Sequence, residues 1–200
     1  YIATFVFFIG ISHAGTLISA ILRLSHVEWR RPVTRCAEAI TVFSLMVGAL
    51  FPLIHLGRVW KFYWLIPYPN ERGLWPNFHS PLVWDFLAIN TYLIGSLTYL
   101  YLPLLPDLAL VRDSAMGWRK RLYRLLALGW SGTSLQWHGL EKGISVMAVV
   151  IVPVAVSVHS VVSWDFAMSL NPMWHSTIFG PYFVVGAIYS GIAALIVAMV

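Results

Sequence analysis

Five long apolar stretches constrain this chain more than any other feature of its sequence. They cover residues 1–24, 37–60, 82–105, 144–164 and 181–200. Each has about the 20 residues that a helix needs to cross the hydrocarbon core of a bilayer. The apolar runs are continuous and do not alternate in polarity, which favours helices over the strands of a closed barrel. The sequence therefore predicts an all-α fold, a polytopic transmembrane helix bundle with five spans in one domain, residues 1–200.

The composition argues against the soluble classes of protein. Apolar residues make up 59% of the chain and charged residues 10%, whereas a soluble domain has about 25% charged residues. Too few charges remain to cover a water-facing surface, so we predict no nucleic-acid partner. The net charge is +5, and we expect the basic residues to set the membrane orientation and to contact anionic lipid. Because Tyr1 and Val200 both lie inside apolar stretches, we expect a piece of a longer protein.

A single cysteine, Cys36, limits the redox chemistry that the chain can carry. One cysteine cannot form an internal disulfide or supply the thiolates of an iron–sulfur cluster. The C-x-x-C-H motif of covalent haem attachment is also absent. We predict no metal ligands in this chain.

The connections between the spans alternate in basic charge. The first and third connections carry clusters of arginine and lysine, the second has few, and the fourth has none. The positive-inside rule then places the first and third connections in the cytoplasm and the other two outside. Within the third connection, basic residues and leucines mix over residues 116–128. This pattern predicts an amphipathic helix on the inner membrane surface, with a solvated connector as an equal alternative.

Ionisable side chains inside the spans are costly in hydrocarbon and are therefore candidate functional groups. His13 lies near the middle of the first span and shares a helical face with Gly10, Leu17 and Ala20. Small neighbours allow close approach of another helix or a flat ligand. A neutral imidazole can hydrogen-bond to a quinone carbonyl and take part in proton transfer. A histidine that only packs against a neighbouring helix is the structural alternative.

The second and third spans also carry ionisable groups. Glu38 is predicted at the cytoplasmic start of the second span, where the helix dipole favours an acid; proton uptake from the cytoplasm is the functional alternative. His55 and Arg58 lie at the outer end of the same span. Asp85 opens the third span and shares a face with Tyr92, which suits a wet cavity or a proton path. A salt bridge from Asp85 to Arg58 is the structural alternative.

The outer part of the fourth span adds His159, and Asp165 follows shortly after it. Together with His55, Arg58 and Asp85, these residues are predicted to cluster at the outer ends of the helices, with His13 facing inward below them. Several titratable groups at one depth indicate a redox or proton site better than one histidine does.

Three groups of motifs resemble those of the NrfD/PsrC-like membrane subunits of quinone-linked oxidoreductases. They are residues 8–17 around His13; His55-Leu56-Gly57-Arg58 with Ser80-Pro81-Leu82-Val83-Trp84; and residues 157–164 with Trp174-His175-Ser176. Within that family, these motifs are most similar to the ActC type of alternative complex III. One departure is His55, which stands where many relatives have an acid.

The resemblance implies a bacterial inner-membrane subunit of a respiratory or photosynthetic complex. Such a subunit binds quinol of the menaquinone or ubiquinone type near the outer face and oxidises it, with no haem or iron–sulfur cluster of its own. Electrons pass to an iron–sulfur protein outside, other membrane subunits including a paralogue complete the complex, and proton translocation is a further implied coupling. The residues themselves suit this chemistry. We predict His13 and Asp85 as the catalytic residues and His13, Gly10, Leu17, Arg58 and His55 as the quinone-binding residues. The predicted proton path is Glu38, Tyr92, His159 and Asp165.

Other functions are open at this point. A scaffold paralogue would keep the polar groups without turnover. A haem b anchor would use His55 and His159 as ligands from two helices. A secondary transporter would show matching helix interruptions in two halves, and no convincing repeat is present.

Overall fold

The computed structural model describes residues 2–55, 59–60, 63, 81–170, 172–173 and 175–200, with positions 2, 52, 55, 81 and 82 described in backbone only. Arg58, Trp174 and most of the aromatic second connection lie outside the described residues. The LGR motif and the start of the SP-x-x-W motif lie outside them as well. The side chain of His55 is likewise not described.

The described residues form six α-helices. These are α1 Ile2–Leu24, α2 Arg30–His55, α3 Pro81–Ser114, α4 Gly117–Leu126, α5 Ser134–Ala167 and α6 Phe179–Met199. All except α4 are long and apolar enough to cross a membrane, and the described part of the chain contains no strand. The predicted all-α bundle with five membrane spans is confirmed.

Several helix ends differ from the predicted bounds of the spans. Helix α2, the second span, runs from Arg30 to His55 instead of 37 to 60. Helix α3, the third span, continues to Ser114 instead of 105, and helix α5, the fourth span, begins at Ser134 instead of 144. The apolar runs mark only the hydrocarbon-crossing part, whereas charged turns extend the helices into water. At the start of α5, the Thr133 side chain accepts a hydrogen bond from the Gln136 backbone in a capping box.

Helix α1 lies at the centre of the bundle and packs against α2, α5 and α6, while α3 packs against α5 and α2. Small residues allow two of these contacts. A Cβ atom on Gly15 would lie 2.7 Å from the Ala37 carbonyl oxygen of α2, and one on Gly191 of α6 would lie 2.0 Å from Ala14 Cβ of α1. Close backbone approach through small residues is the usual way that membrane helices associate.

Two ion pairs join the helices at one end of the bundle. Arg23 Nη2 at the end of α1 lies 2.6 Å from Glu141 Oε2 on α5, and Arg35 on α2 pairs with Asp107 on α3. The C-terminal parts of α1 and α3 therefore meet the N-terminal parts of α2 and α5. This arrangement places the two basic connections at the same end of the bundle, as the charge pattern requires.

Candidate functional site

Three helices contribute buried polar side chains that meet inside the bundle. On α1 they recur at positions i, i+4 and i+7, which lie on one helical face. We call this group the polar seam; its members are Ser12, Thr16 and Ser19 of α1, Glu38 and Thr41 of α2, and Tyr92, Ser96 and Tyr99 of α3. In hydrocarbon a polar group needs a partner, so the hydrogen bonds that cross between these helices fix how the helices face one another. Ser96 Oγ is a member of the seam that has no hydrogen-bond partner among the described residues.

The middle of the polar seam is organised around the Tyr92 hydroxyl. Tyr92 Oη donates to the Ser12 carbonyl oxygen at 2.9 Å and lies 2.6 Å from Thr16 Oγ1. Thr41 Oγ1 of α2 also reaches the Ser12 carbonyl, at 3.1 Å. These contacts tie α1, α2 and α3 together at one level.

The end of the polar seam nearest the basic connections holds a buried carboxyl group. Ser19 Oγ donates to Glu38 Oε1 at 2.6 Å and lies 3.3 Å from Tyr99 Oη. The expectation that Glu38 stabilises a helix N-terminus is wrong, because α2 begins at Arg30 and Glu38 lies about two turns inside it. The helix-dipole effect falls off within the first turn, so the Ser19 hydroxyl is the contact that holds this carboxyl.

His13 lies beside the hydroxyl groups of the polar seam, next to Tyr92, and is 1% exposed. Its Nδ1 atom is 2.7 Å from the Ile9 carbonyl oxygen, and because a carbonyl only accepts, Nδ1 carries the hydrogen. The ring stacks on Tyr92 with centroids 4.2 Å apart, and the His159 ring meets it at 5.0 Å and 64°. Nε2 of His13 has no hydrogen-bond partner among the described residues, and neither does Nδ1 of His159. In the neutral form, His13 Nε2 is thus a buried acceptor whose lone pair has no donor.

Two carboxyl groups lie together towards the other end of α3. The side chains of Asp85 on α3 and Asp165 on α5 are close enough to interact electrostatically, and a carboxyl group can carry a proton. Asp85 Oδ1 is buried and has no partner among the described residues. Trp84 and Trp164 pack edge to face beside them with centroids 6.0 Å apart. The pair is therefore a second place where a proton can be held.

The remaining predicted site residues have other surroundings. A Cβ atom on Gly10 would lie 3.4 Å from Ala187 Cα of α6, so Gly10 serves the crossing of α1 and α6. Leu17 packs in the apolar core. His13, Tyr92 and His159 are brought together, whereas Glu38 lies at the far end of the polar seam.

Sequence reasoning missed the α1 and α3 residues that complete the seam. Ser12, Thr16, Ser19 and Tyr99 were not predicted as site residues, although the i, i+4, i+7 spacing on α1 was a usable signal.

The fold and the buried polar groups define a multi-pass integral membrane protein with an imidazole pair in its interior. Comparison with protein families gives a match to the family described as "Polysulphide reductase, NrfD" over residues 1–200. The chain belongs to the NrfD family, which confirms the family resemblance found in the motifs.

Two curated relatives are similar over almost the whole chain. One, from Halobacterium salinarum, is described as a dimethyl sulfoxide reductase membrane subunit; it is 29% identical over 100% of this chain and 42% of the relative. The other, from Mesobacillus selenatarsenatis, is described as a selenate reductase subunit; it is 26% identical over 98% of this chain and 46% of the relative. The chain thus spans less than half the length of either relative.

Proposed function

We propose that this chain forms the quinol-binding part of a membrane subunit in an electron-transfer complex, with His13 as the group that contacts the quinol head. The observation that carries the proposal is the unpartnered His13 Nε2 atom, buried at membrane depth beside Tyr92 and His159. A buried polar atom without a partner is costly, so a ligand hydroxyl is a reasonable complement. The reductase names of the two relatives support a role in electron transfer.

Quinol supplies two electrons and two protons when it is oxidised, and the residues of this chain are suited to handle the protons. The Nδ1–Ile9 hydrogen bond fixes the tautomer that presents the Nε2 lone pair. His13 therefore accepts a hydrogen bond and then a proton from a hydroxyl at that atom. His159 and the Asp85–Asp165 pair lie towards the proposed outer end of the bundle and form the onward proton path. Asp85 acts there as the acceptor, since its Oδ1 atom has no partner among the described residues.

A second branch of the proton path runs inward along the polar seam. The Tyr92 ring stacks on His13, its hydroxyl is hydrogen-bonded to Thr16, and Thr16 is bonded to Thr41. A separate group of hydrogen bonds, from Ser19 to Glu38, lies further along the polar seam. Hydroxyl groups both donate and accept, so each group is suited to relay protons, and the proposed path requires a water or a side-chain rearrangement to join the two. We assign proton uptake from the cytoplasmic end to Glu38, with translocation as the coupled outcome.

The expected partners follow the same proposal. An iron–sulfur protein on the outer face takes the electrons, and other membrane subunits, including a paralogue of the alternative complex III type, complete the assembly. The quinone is of the menaquinone or ubiquinone type, and the setting is a bacterial inner membrane. His55 and Arg58, proposed to contact the quinone, lie in the part of the chain whose side chains are not described.

One observation favours a second candidate, a non-catalytic scaffold. His13 is almost fully enclosed, and Tyr92 and His159 cover two sides of its ring. A scaffold keeps such a histidine for packing alone.

The test uses the full-length subunit in its complex and the variant His13→Asn. Asparagine retains a donor at the position of Nδ1 for the Ile9 carbonyl but has no atom at the position of Nε2. We expect quinol-dependent electron transfer to fall by about 100-fold or more, since a positioned acid–base group contributes about 10²–10⁴. A fluorescent quinol analogue should also lose binding.

The matched control is His138→Gln, at an exposed histidine on α5. It should leave both turnover and binding unchanged. Turnover of His13→Asn within twofold of the parent, in an intact complex, would refute the quinol contact and favour the scaffold.

A further inference from the structure

Helix α4 presents a basic and apolar surface that the proposed quinol site does not use. None of its residues is buried. Trp118, Leu122 and Leu125 are exposed, as is Leu128 just beyond the helix. The basic residues of the helix are Arg119, Lys120, Arg121 and Arg124.

This surface is held firmly at the inner ends of the spans. The Tyr101 hydroxyl of α3 donates to the Leu126 carbonyl oxygen, and Ala127 is buried in the core. Arg112 Nη1 of α3 donates to the Trp130 carbonyl oxygen at 2.9 Å. The exposed leucines of α4 are therefore fixed where the basic end of the bundle meets water and lipid head groups.

Two of the arginines are available for an anion. Asp113, the acid at the end of α3, is bonded to Arg112 at 2.8 Å, and the Arg119 guanidinium lies 5.9 Å from the Trp118 ring. Within the described part of the chain, Arg121 and Arg124 form no ion pair. They lie three residues apart on neighbouring turns of α4.

Arg121 and Arg124 line a shallow recess together with Leu125 and Leu128. The recess therefore pairs two guanidinium groups with an apolar wall. Arginine binds phosphate oxygens in bidentate fashion, and the leucines need an apolar cover. A soluble anion would leave the leucine wall in water, and a zwitterionic lipid would bring a cationic head group next to both arginines.

We infer that this recess binds an anionic phospholipid, with the phosphodiester between Arg121 and Arg124 and the acyl chains along Leu125 and Leu128. The inner leaflet is anionic and attracts basic segments at the membrane surface. Charge complementarity and the position of α4 at the inner ends of the spans both favour this occupant. The bound lipid stabilises the packing of α4 against α3. This site is independent of the quinol proposal.

The test measures lipid binding to the purified full-length protein by native mass spectrometry. Phosphatidylglycerol, phosphatidylcholine and inorganic phosphate are titrated in separate arms. The double variant Arg121→Gln/Arg124→Gln should weaken phosphatidylglycerol binding about 30-fold, equivalent to about 1 kcal/mol for each basic residue. The control Arg31→Gln/Arg119→Gln removes the same charge from α2 and from the other side of α4, and should change binding by less than about twofold.

Three results would overturn the proposal. Equal affinity for phosphatidylcholine would show that the arginines do not select a charged head group. Equal weakening in both double variants would assign the effect to total charge. Displacement of phosphatidylglycerol by millimolar inorganic phosphate, or loss of a co-purifying protein with lipid binding intact, would show that the site serves a different ligand.

Discussion

Gly191→Ala tests the close crossing of α1 and α6. A Cβ atom on Gly191 would lie 2.0 Å from Ala14 Cβ, 3.4 Å from Ala14 Cα and 3.5 Å from the Gly10 carbonyl oxygen. Carbon atoms in contact lie about 3.5–4.0 Å apart, so α1 and α6 must separate locally by about 1.5 Å. The matched control is Gly186→Ala on the same helix, where an added Cβ has no neighbour within 4 Å.

The expected cost follows from that overlap. Adding a methyl group to a packed interface destabilises by about 1–3 kcal/mol, which lowers the Tm by about 2–12 °C for a chain of this size. Gly186→Ala should leave the Tm unchanged or raise it, since alanine favours a helix over glycine. Scanning fluorimetry of the full-length protein in detergent measures both variants. His13 lies next to Ala14 on α1, so quinol-dependent turnover should fall in Gly191→Ala as well.

A compensating variant makes this prediction sharper. Ala14→Gly/Gly191→Ala moves the methyl group from one helix to the other, and the closest remaining contacts are then 3.4 and 3.5 Å. We expect the double variant to recover most of the lost Tm, with a coupling energy above about 0.5 kcal/mol, as is usual for residues in contact. A Tm for Gly191→Ala equal to that of Gly186→Ala, or no recovery in the double variant, would refute the close crossing of α1 and α6.

Three further predictions concern the basic end of the bundle. Tyr101→Phe removes the hydrogen bond to the Leu126 carbonyl, and such a bond is worth about 0.6 kcal/mol in a membrane protein. The rate of amide hydrogen exchange should therefore rise in α4 and stay unchanged in α6. Thr133→Ala breaks the capping box of α5 and should cost about 1 kcal/mol, seen as faster exchange in the first turn of α5 alone. Glu141→Gln removes an ion pair whose acid is 64% exposed, so it should lower the free energy of unfolding by about 0.2–1 kcal/mol. The effect should be smaller at high salt, and a Tm difference that stays the same in 1 M salt would contradict an ionic role.

The membrane spans were predictable because their signal is local. The hydropathy of each apolar run depends only on the residues in that run, and a spanning helix must be apolar through the whole hydrocarbon core. Helix ends were less predictable, because they depend on groups that the hydropathy of a run does not measure. The start of α5 at Ser134 depends on the Thr133 cap, and α3 continues through Pro103 and Pro106 inside the helix.

The candidate site was predictable as single residues but not as an arrangement. Helical periodicity places Asp85 and Tyr92 on one face of α3, yet it does not say which face of α1 or α5 they meet. The stacking of His13 on Tyr92 and its contact with His159 depend on the rotation and register of three helices. Those are set by close crossings at Gly15 and Gly191, which are non-local.

Hydrogen bonding separates two kinds of buried polar group in this bundle. The hydroxyls of Thr16, Thr41 and Tyr92 all have partners, so they stabilise the packing whether or not a ligand binds. His13 Nε2 and Asp85 Oδ1 have none among the described residues, and their desolvation is not offset by the fold alone. A membrane bundle can tolerate a few such atoms only if its satisfied contacts already hold the helices in place. The hydroxyl network of the polar seam thus supplies the rigidity that keeps unpartnered acid–base groups positioned for a ligand.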